Sequence, residues 1–344
     1  MRALITGGAG FIGIQTADRL LNMGEEVVLL DNLSRKGGRQ NLAWLKERHD
    51  EFPFEEADVR DYASLTAIVE RYQPLDVVFH FAAQVAVTSS VQDPKEDFDI
   101  NALGTLNVLE SIRQSKADPI FIYSSTNKVY GEMQEVEVVE DETRYRYAAL
   151  PHGIPETAPL DFHSPYGCSK GAADQYTRDY QRIYGMRTLV FRNSCIYGPR
   201  QFGIEDQGWV AWFIIAWLQQ HSLTIYGDGK QVRDLLYIDD LIDGMLSAIE
   251  QIDRTQGQIY NMGGGADFSL SIWRECGPML EELAGEQIPV DSGDWRPGDQ
   301  MVYISDIRKA AQDFDWRPFV GPEEGISTLF SWASENASMF KDLG

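Results

Sequence analysis

The chain has 344 residues, of which 43% are hydrophobic and 24% charged. These are soluble globular values, and the length suits two closely packed domains rather than one simple core. Thirty basic against 53 acidic residues give a net charge of −23, which argues against nucleic acid and anionic membranes as partners. Any anionic ligand must then be held by a few well-placed Arg or Lys side chains.

Residues 2–6 (RALIT) read as a strand stopped by glycines, and 11–23 as a helix with Phe11, Ile12, Ala17, Leu20 and Leu21 on one face. Residues 26–31 (EVVLLD) form the next strand. Short β-branched runs recur at 76–81, 119–123 and 188–191, with helical patterns near 61–71, 95–115 and 164–184. Continuous apolar runs of this kind mark buried parallel strands. A strand–helix series implies a parallel sheet with helices on both faces. After about residue 193 turn signals cluster at Gly198-Pro199, Gly227-Asp228-Gly229 and Gly263-Gly264-Gly265. Residues 235–263 read as one more strand–helix–strand unit, with Asp239 as helix cap. The remainder mixes helix and short strands and ends in an amphipathic helix near 322–340. The acidic segment 132–160 is too long for a plain connection and suits a binding loop or lid.

The fold class is therefore α/β: a doubly wound parallel Rossmann sheet with a smaller, mixed α/β C-terminal substrate domain. The expected division is 1–193 with 233–263, and 194–232 with 264–344. Cys168, Cys195 and Cys276 are odd in number and widely spaced, as in a reduced cytoplasmic protein, and form no metal pattern. No apolar run reaches membrane-spanning length, and a strand begins at once at the N-terminus, leaving no room for a signal peptide.

Gly7-x-x-Gly10-x-x-Gly13 lies between the first strand and the first helix. The first glycine allows the tight turn, the second lets backbone approach a pyrophosphate, and the third packs helix on strand. The helix N-terminus then faces the phosphates. Asp31 ends the second strand, where its carboxylate accepts from ribose hydroxyls and repels a 2′-phosphate, favouring NAD over NADP. Arg35 and Lys36 fit the adenosine end or solvated loop charge. Asp58 fits equally a contact to the adenine amino group and a cap for the helix 61–71. Ala82 and Ala83 are small enough for close cofactor approach. Asn101, inside a helical pattern, fits a satisfied core amide or a group fixing backbone near the site.

Tyr166 and Lys170 stand four apart on one helix face, opened by Ser164-Pro165. An ammonium near a phenol lowers the phenol's pKa, so the tyrosine can take a carbinol proton while hydride leaves for NAD. Ser124, Ser125 and Thr126 end the fifth strand, at the carboxyl edge where such sheets bind ligands. Taken alone, Tyr-x-x-x-Lys is common by chance; the combination is not.

With Tyr197-Gly-Pro-Arg-Gln201, the Gly227-to-Asp234 stretch and Arg296-Pro-Gly-Asp299, these residues resemble the extended short-chain dehydrogenases/reductases, the NAD-dependent epimerase/dehydratase family acting on nucleotide sugars. Tyr123-Ser-Ser-Thr-Asn127-Lys128-Val-Tyr-Gly131, Asp31-to-Gly37, Ala83-to-Val87 and Leu160-to-Tyr176 are similar to the subfamily of CDP-paratose and CDP-tyvelose 2-epimerases. The resemblance implies Thr126, Tyr166 and Lys170 as catalytic. It adds Phe11, Ile12, Asn32, Ser34 and Val59 to the cofactor set. For the substrate it implies Arg233 and Arg296 at the diphosphate, with Gln84, Thr126, Asn127, Asn193, Arg200, Gln201 and Gln207 towards the sugar. Oxidation at sugar C2, a transient ketose and return of hydride follow, in a homodimer or homotetramer. His163 fits local loop bonding as well as a sugar contact.

Sugar 4,6-dehydratases carry an acidic pair directly after the catalytic Thr; Asn127 and Lys128 stand here. A 4-epimerase and, less favoured, a dehydratase are the alternatives among enzymes. A non-catalytic NAD-binding regulator is the rival of another class. Asn193, Cys195 and Ile196 depart from the usual family string at the mouth of the site, which bears on the identity of the sugar.

Overall fold

The computed structural model describes residues 1–295 and 299–341. The chain divides into two compact units: Met1–Val129, Ser164–Arg192 and Met245–Tyr260 form the first, and Tyr130–His163, Asn193–Gly244 and Asn261–Gly344 the second.

The first unit is built on a seven-stranded sheet. Its first five strands are β1 (Arg2–Thr6), β2 (Glu26–Asp31), β3 (Phe54–Glu56), β4 (Val77–His80) and β5 (Ile120–Thr126). The sheet order is Ile259–Met262, Thr188–Asn193, β5, β4, β1, β2, β3. Pairings β1–β2, β1–β4, β2–β3 and β4–β5 are all parallel. The order reverses at β1, so the loops after β1 and β4 part at the carboxyl edge, where doubly wound sheets bind ligands.

Helix placement follows the apolar spacing. Leu65, Ile68 and Val69 of Tyr62–Arg71 and Val108, Leu109 and Ile112 of Gly104–Ser115 recur at helical intervals and are buried together against Leu4, Val78 and Phe121 of the sheet. The pattern read as one helix over 95–115 is interrupted. Pro94–Phe98 is helical, Asp99–Leu103 makes a π turn, and the α-helix resumes at Gly104. Helices Gly38–Arg48 and Val87–Gln92 have weak apolar periodicity and escaped the sequence pattern. Asp61, not Asp58, caps the helix that follows: its carboxylate accepts from Ser64 N at 3.1 Å.

The second unit gathers short strands. Val232–Tyr237 pairs with Ser269–Ser271, Val302–Tyr303 and Cys195–Tyr197. It therefore lies outside the seven-stranded sheet in which the sequence pattern places it. The helix after it begins at Ile238, so Asp239 sits inside the first turn, facing the helix dipole, rather than at the cap. Segment 132–160 folds into the antiparallel pair Val138–Glu140 and Tyr145–Tyr147. Arg144 fastens it to Glu275 at 2.6 Å and to the Ser269 carbonyl at 2.9 Å, and Tyr147 donates to the Val302 carbonyl at 2.8 Å. Those anchors explain why 130–163 belongs with the second unit. Among the described residues no helix is long and apolar enough to cross a membrane.

A buried ion pair crosses the first unit. Arg192 donates to both Asp174 oxygens at 2.9 and 3.0 Å, with side chains 2% and 0% exposed. Removing one partner strands a buried charge. Arg192→Leu is expected to lower unfolding free energy by about 3–5 kcal/mol, and adding Asp174→Leu to recover most of that loss. Denaturant titration of both variants checks this.

Candidate active site

The glycine turn leaves no room for side chains. Gly7 has φ of +69°, and a Cβ there would lie 2.6 Å from Ala82 N. A Cβ on Gly13 would overlap the Gly7 carbonyl oxygen. The helix Phe11–Asn22 starts directly after, and its first turn carries no acidic residue. The result is a backbone-lined cradle at a helix N-terminus, which suits a pyrophosphate. Asp31 lies beside it, accepting from Ala9 N at 3.0 Å and Leu33 N at 2.7 Å. Burial pushes its carboxyl pKa up, against those two amides. Carboxylate oxygens have lone pairs left for ribose hydroxyls after these bonds. The residues present fit NAD.

Asp58 is held by Arg60, through Nε at 2.9 Å and Nη2 at 2.8 Å, and by Asn32 at 2.8 Å. The Arg60 bond pulls its pKa down to about 2. Asn32 also accepts from Ser34 N at 3.1 Å, and its bond to Asp58 ties the loop after β2 to that after β3. Val59 is buried, and its carbonyl accepts from Asn107 at 3.0 Å.

The catalytic candidates sit on β5 and on the helix Ser164–Tyr184. Ser164 has φ of +64°, and its hydroxyl accepts from Gly167 N at 3.2 Å. Tyr166 N donates to Ser90 Oγ at 3.1 Å, and Ser90 donates to the Val87 carbonyl at 2.6 Å. The start of the helix is thus capped from outside. The Thr126 hydroxyl faces the Tyr166 phenol and lowers its pKa. Ser125 is turned towards Asp174, to which it donates at 2.8 Å. Ser124 offers its carbonyl to Lys170 Nζ at 2.6 Å. The same ammonium lies 4.3 Å from the Tyr123 ring centroid.

Burial pushes Tyr166 up to about 12, opposed by Thr126 and Arg35 and assisted by Asp97. Burial brings Lys170 down to about 7, opposed by Asp174 and Asp97. The sequence pattern makes Lys170 the group that acidifies Tyr166. In the structure Thr126 and then Arg35, from the loop after β2, lower the Tyr166 pKa, and the Lys170 ammonium is tied to the Ser124 carbonyl of β5. A cation from the loop after β2 was invisible to helix spacing.

Asn101 does what the sequence suggests for a core amide. It accepts from Gln84 N at 2.9 Å and donates to the Gln84 carbonyl at 3.1 Å, fixing the loop after β4. Ala82 and Ala83 stand in this loop. Gln84 donates to the Ala86 carbonyl at 2.7 Å and to Asp97 at 3.0 Å, and accepts from Ala86 N. Its amide is spent on the loop. Asp97, outside every motif, and Ser169, a spacer within Tyr166-x-x-x-Lys170, are both buried and carry no role in the sequence pattern. Asn127 Oδ1 lies 3.3 Å from Thr126 Oγ1.

In the second unit, Asn193 is buried at the end of its strand. Arg200 has φ of +70° and stacks 5.7 Å from the Trp332 ring. Gln201 donates to the Ile196 carbonyl at 3.1 Å, and Gln207 closes a turn with Ile204. Trp209 Nε1 donates to Cys195 Sγ at 3.4 Å. Arg233 donates to the Gln300 carbonyl at 2.7 Å and to Asp299 at 2.6 Å. His163 lies 3.3 Å from Glu132. Arg296 lies outside the described residues.

The family model described as GDP-mannose 4,6 dehydratase matches residues 4–329. The chain belongs to this family. It is an NAD-dependent enzyme of the nucleotide-sugar epimerase/dehydratase class. It is 43% identical over 339 residues to the CDP-paratose 2-epimerase of Salmonella typhi, covering 97% of this chain and 99% of that one. Solved relatives include the UDP-glucose 4-epimerase of Thermus thermophilus complexed with NAD. That structure is 34% identical with a TM-score of 0.81, and the match covers 96% of this chain and 98% of that one. The dTDP-glucose 4,6-dehydratase of Streptomyces venezuelae with NAD bound is 28% identical over the whole of both chains, with a TM-score of 0.85.

Gly13→Ala is expected to weaken NAD binding at least about tenfold and to cost about 1–3 kcal/mol, because backbone must shift. Cofactor titration and thermal melting check both.

His80 provides a pH test. Its Nε2–H donates to Thr105 Oγ1 at 2.9 Å, since that hydroxyl already donates to Asn101 O, and its Nδ1 accepts from Thr6 Oγ1 at 2.6 Å. Burial, then the Lys170 charge, lowers its pKa from 6.5 to about 3. A depressed folded pKa gives stability that is complete above about 6.5 and lost as pH falls towards about 3. The loss should approach about 1.4 kcal/mol per pH unit in that window. His80→Gln should flatten this acid slope in urea titrations.

Proposed function

We propose that the protein epimerises a nucleotide sugar, at C2 of a CDP-linked hexose. The observation that carries this is the 43% identity, end to end, with a CDP-paratose 2-epimerase. NAD, when bound, supplies the hydride acceptor and donor. Tyr166 takes the proton of the C2 hydroxyl at its phenolic oxygen and returns it. Thr126 Oγ1 binds the same oxygen. Lys170 contributes positive charge below the phenol, and Arg35 adds to it from the loop after β2. The sugar passes through a 2-keto form and is reduced on the opposite face.

Epimerisation needs one proton acceptor and no acid–base pair at C5 and C6. This agrees with Asn127 and Lys128 after Thr126. Asp97 and Asp174, the buried carboxylates near Lys170, are occupied by hydrogen bonds to Ser169 and Arg192. Arg233, with Arg296, takes the substrate diphosphate. A homodimer or homotetramer is supported by the exposed apolar residues Phe98, Tyr176, Ile183 and Tyr184 on two helical segments of the first unit. Three free cysteines suit the cytoplasm.

Incubation with CDP- and UDP-hexoses in deuterated water, followed by proton NMR, tests the reading. Inversion at C2 of a CDP-hexose without deuterium uptake is expected. Inversion at C4 makes the enzyme a 4-epimerase. Deuterium at C5 with loss of the C6 hydroxyl makes it a dehydratase. Tyr166→Phe should lower turnover by at least about 100-fold with NAD still bound.

A further inference from the structure

Asp97 is 1% exposed and lies on the short helix Pro94–Phe98, away from every motif of the family resemblance. Its carboxyl gathers three segments. Ser169 Oγ donates to Oδ2 at 2.5 Å; Gln84 Nε2 and Asn101 Nδ2 approach Oδ1 at 3.0 and 3.1 Å. Ser169 precedes Lys170 on the catalytic helix, Gln84 stands in the loop after β4, and Asn101 is in the π turn. Such turns within helices are frequent at functional sites.

Two partners are neutral amide donors, and the third is a hydroxyl that also lies 3.2 Å from the Tyr166 carbonyl. A carboxylate accepts at both oxygens, whereas a carboxylic acid must donate at one. Two amides on Oδ1 and a hydroxyl on Oδ2 accommodate the ionised form, although burial raises the carboxyl's pKa. Its charge is met by dipoles, not by a guanidinium. Asp174 differs: Arg192 holds both its oxygens.

The groups facing Lys170 are Asp174 on its own helix, the Ser124 carbonyl and Tyr123 ring on β5, His80 on β4, and Asp97. Tyr166 faces Thr126 and Arg35. His80 is neutral, and the Asp174 charge is matched by Arg192. Of the two carboxylates acting on Lys170, Asp174, the stronger, is ion-paired with Arg192, whereas Asp97 is met by neutral groups.

We propose that Asp97 is a positioning residue of the reaction centre: as a buried carboxylate it clamps the Ser169–Lys170 turn to the loop after β4 and supplies the counter-charge that keeps the Lys170 ammonium protonated. The proposal rests on the reading of Tyr166 and Lys170 as the proton-handling pair. Its test reads the lysine itself, with no substrate required.

The full-length protein is labelled isotopically at lysine Cε, and the Lys170 resonance is assigned by its loss in Lys170→Met. Titration followed by NMR gives the pH at which Lys170 loses its proton. Asp97→Asn keeps size and most hydrogen bonds but removes the charge. The expected result is a midpoint about one pH unit lower, about tenfold weaker proton affinity, with melting temperature and NAD affinity near wild type. Ser169→Ala releases the clamp and leaves the charge, so its midpoint should stay near wild type. An unchanged midpoint in Asp97→Asn overturns the proposal. If that variant does not fold, the wild-type protein labelled at the aspartate carboxyl carbon decides, with Asp97 assigned by its shift in Ser169→Ala. Ionisation at neutral pH supports the proposal, and a neutral acid there overturns it. If turnover is absent with every sugar while the Asp97→Asn shift is present, the functional reading fails and this inference stands.

Discussion

The reaction centre of the first unit depends on charges kept out of water. Lys170, Asp174, Arg192 and Asp97 are all nearly inaccessible to solvent. A buried ion is tolerated only when hydrogen bonds and opposite charge replace its hydration. Here the replacement comes from different segments. Asp174 joins the catalytic helix to the strand carrying Arg192 and to Ser125 on β5. Lys170 is tied to the Ser124 carbonyl one residue away. Thr126 and Tyr166 are therefore held by neighbours whose own side chains are locked. Displacing one member would leave another without its partner, which makes the arrangement cooperative rather than additive.

Electrostatics also explain the resting state. Burial pushes the phenol's pKa up to about 12 and brings the lysine's down to about 7. Added positive charge lowers the phenol's pKa, in the same direction as Arg35. A cationic ring beside the phenol would act the same way. An oxidised nicotinamide carries that charge, whereas the reduced ring does not.

How far the sequence revealed the site follows from the range of the interactions. The glycine triplet, Asp31 and the Tyr166–Lys170 spacing act over a few residues, so their pattern is local and readable. β1, β2 and the helix Ser164–Tyr184 follow their apolar runs for the same reason. Asp97 and Ser169 meet across 72 positions, and nothing in either neighbourhood announces the contact. Arg35 was read as adenosine-end or solvated charge because its link to Tyr166 spans two segments. The π turn at Asp99–Leu103 was read through as helix, since one inserted residue barely disturbs an apolar repeat. Val232–Tyr237 was assigned to the wrong sheet because a buried strand looks alike wherever it pairs.

Ser164 gives the catalytic helix an unusual beginning. Its left-handed backbone, which side chains other than glycine enter at a cost of about 1–2 kcal/mol, stands immediately before a proline whose own φ is fixed. Two adjacent residues thus have almost no torsional latitude, and Tyr166 follows directly. The direction in which the phenol leaves the backbone is inherited from this stiff joint as much as from its own rotamer. Sequence drift at position 164 is consequently confined to small residues that accept a left-handed turn, above all Gly and Asn.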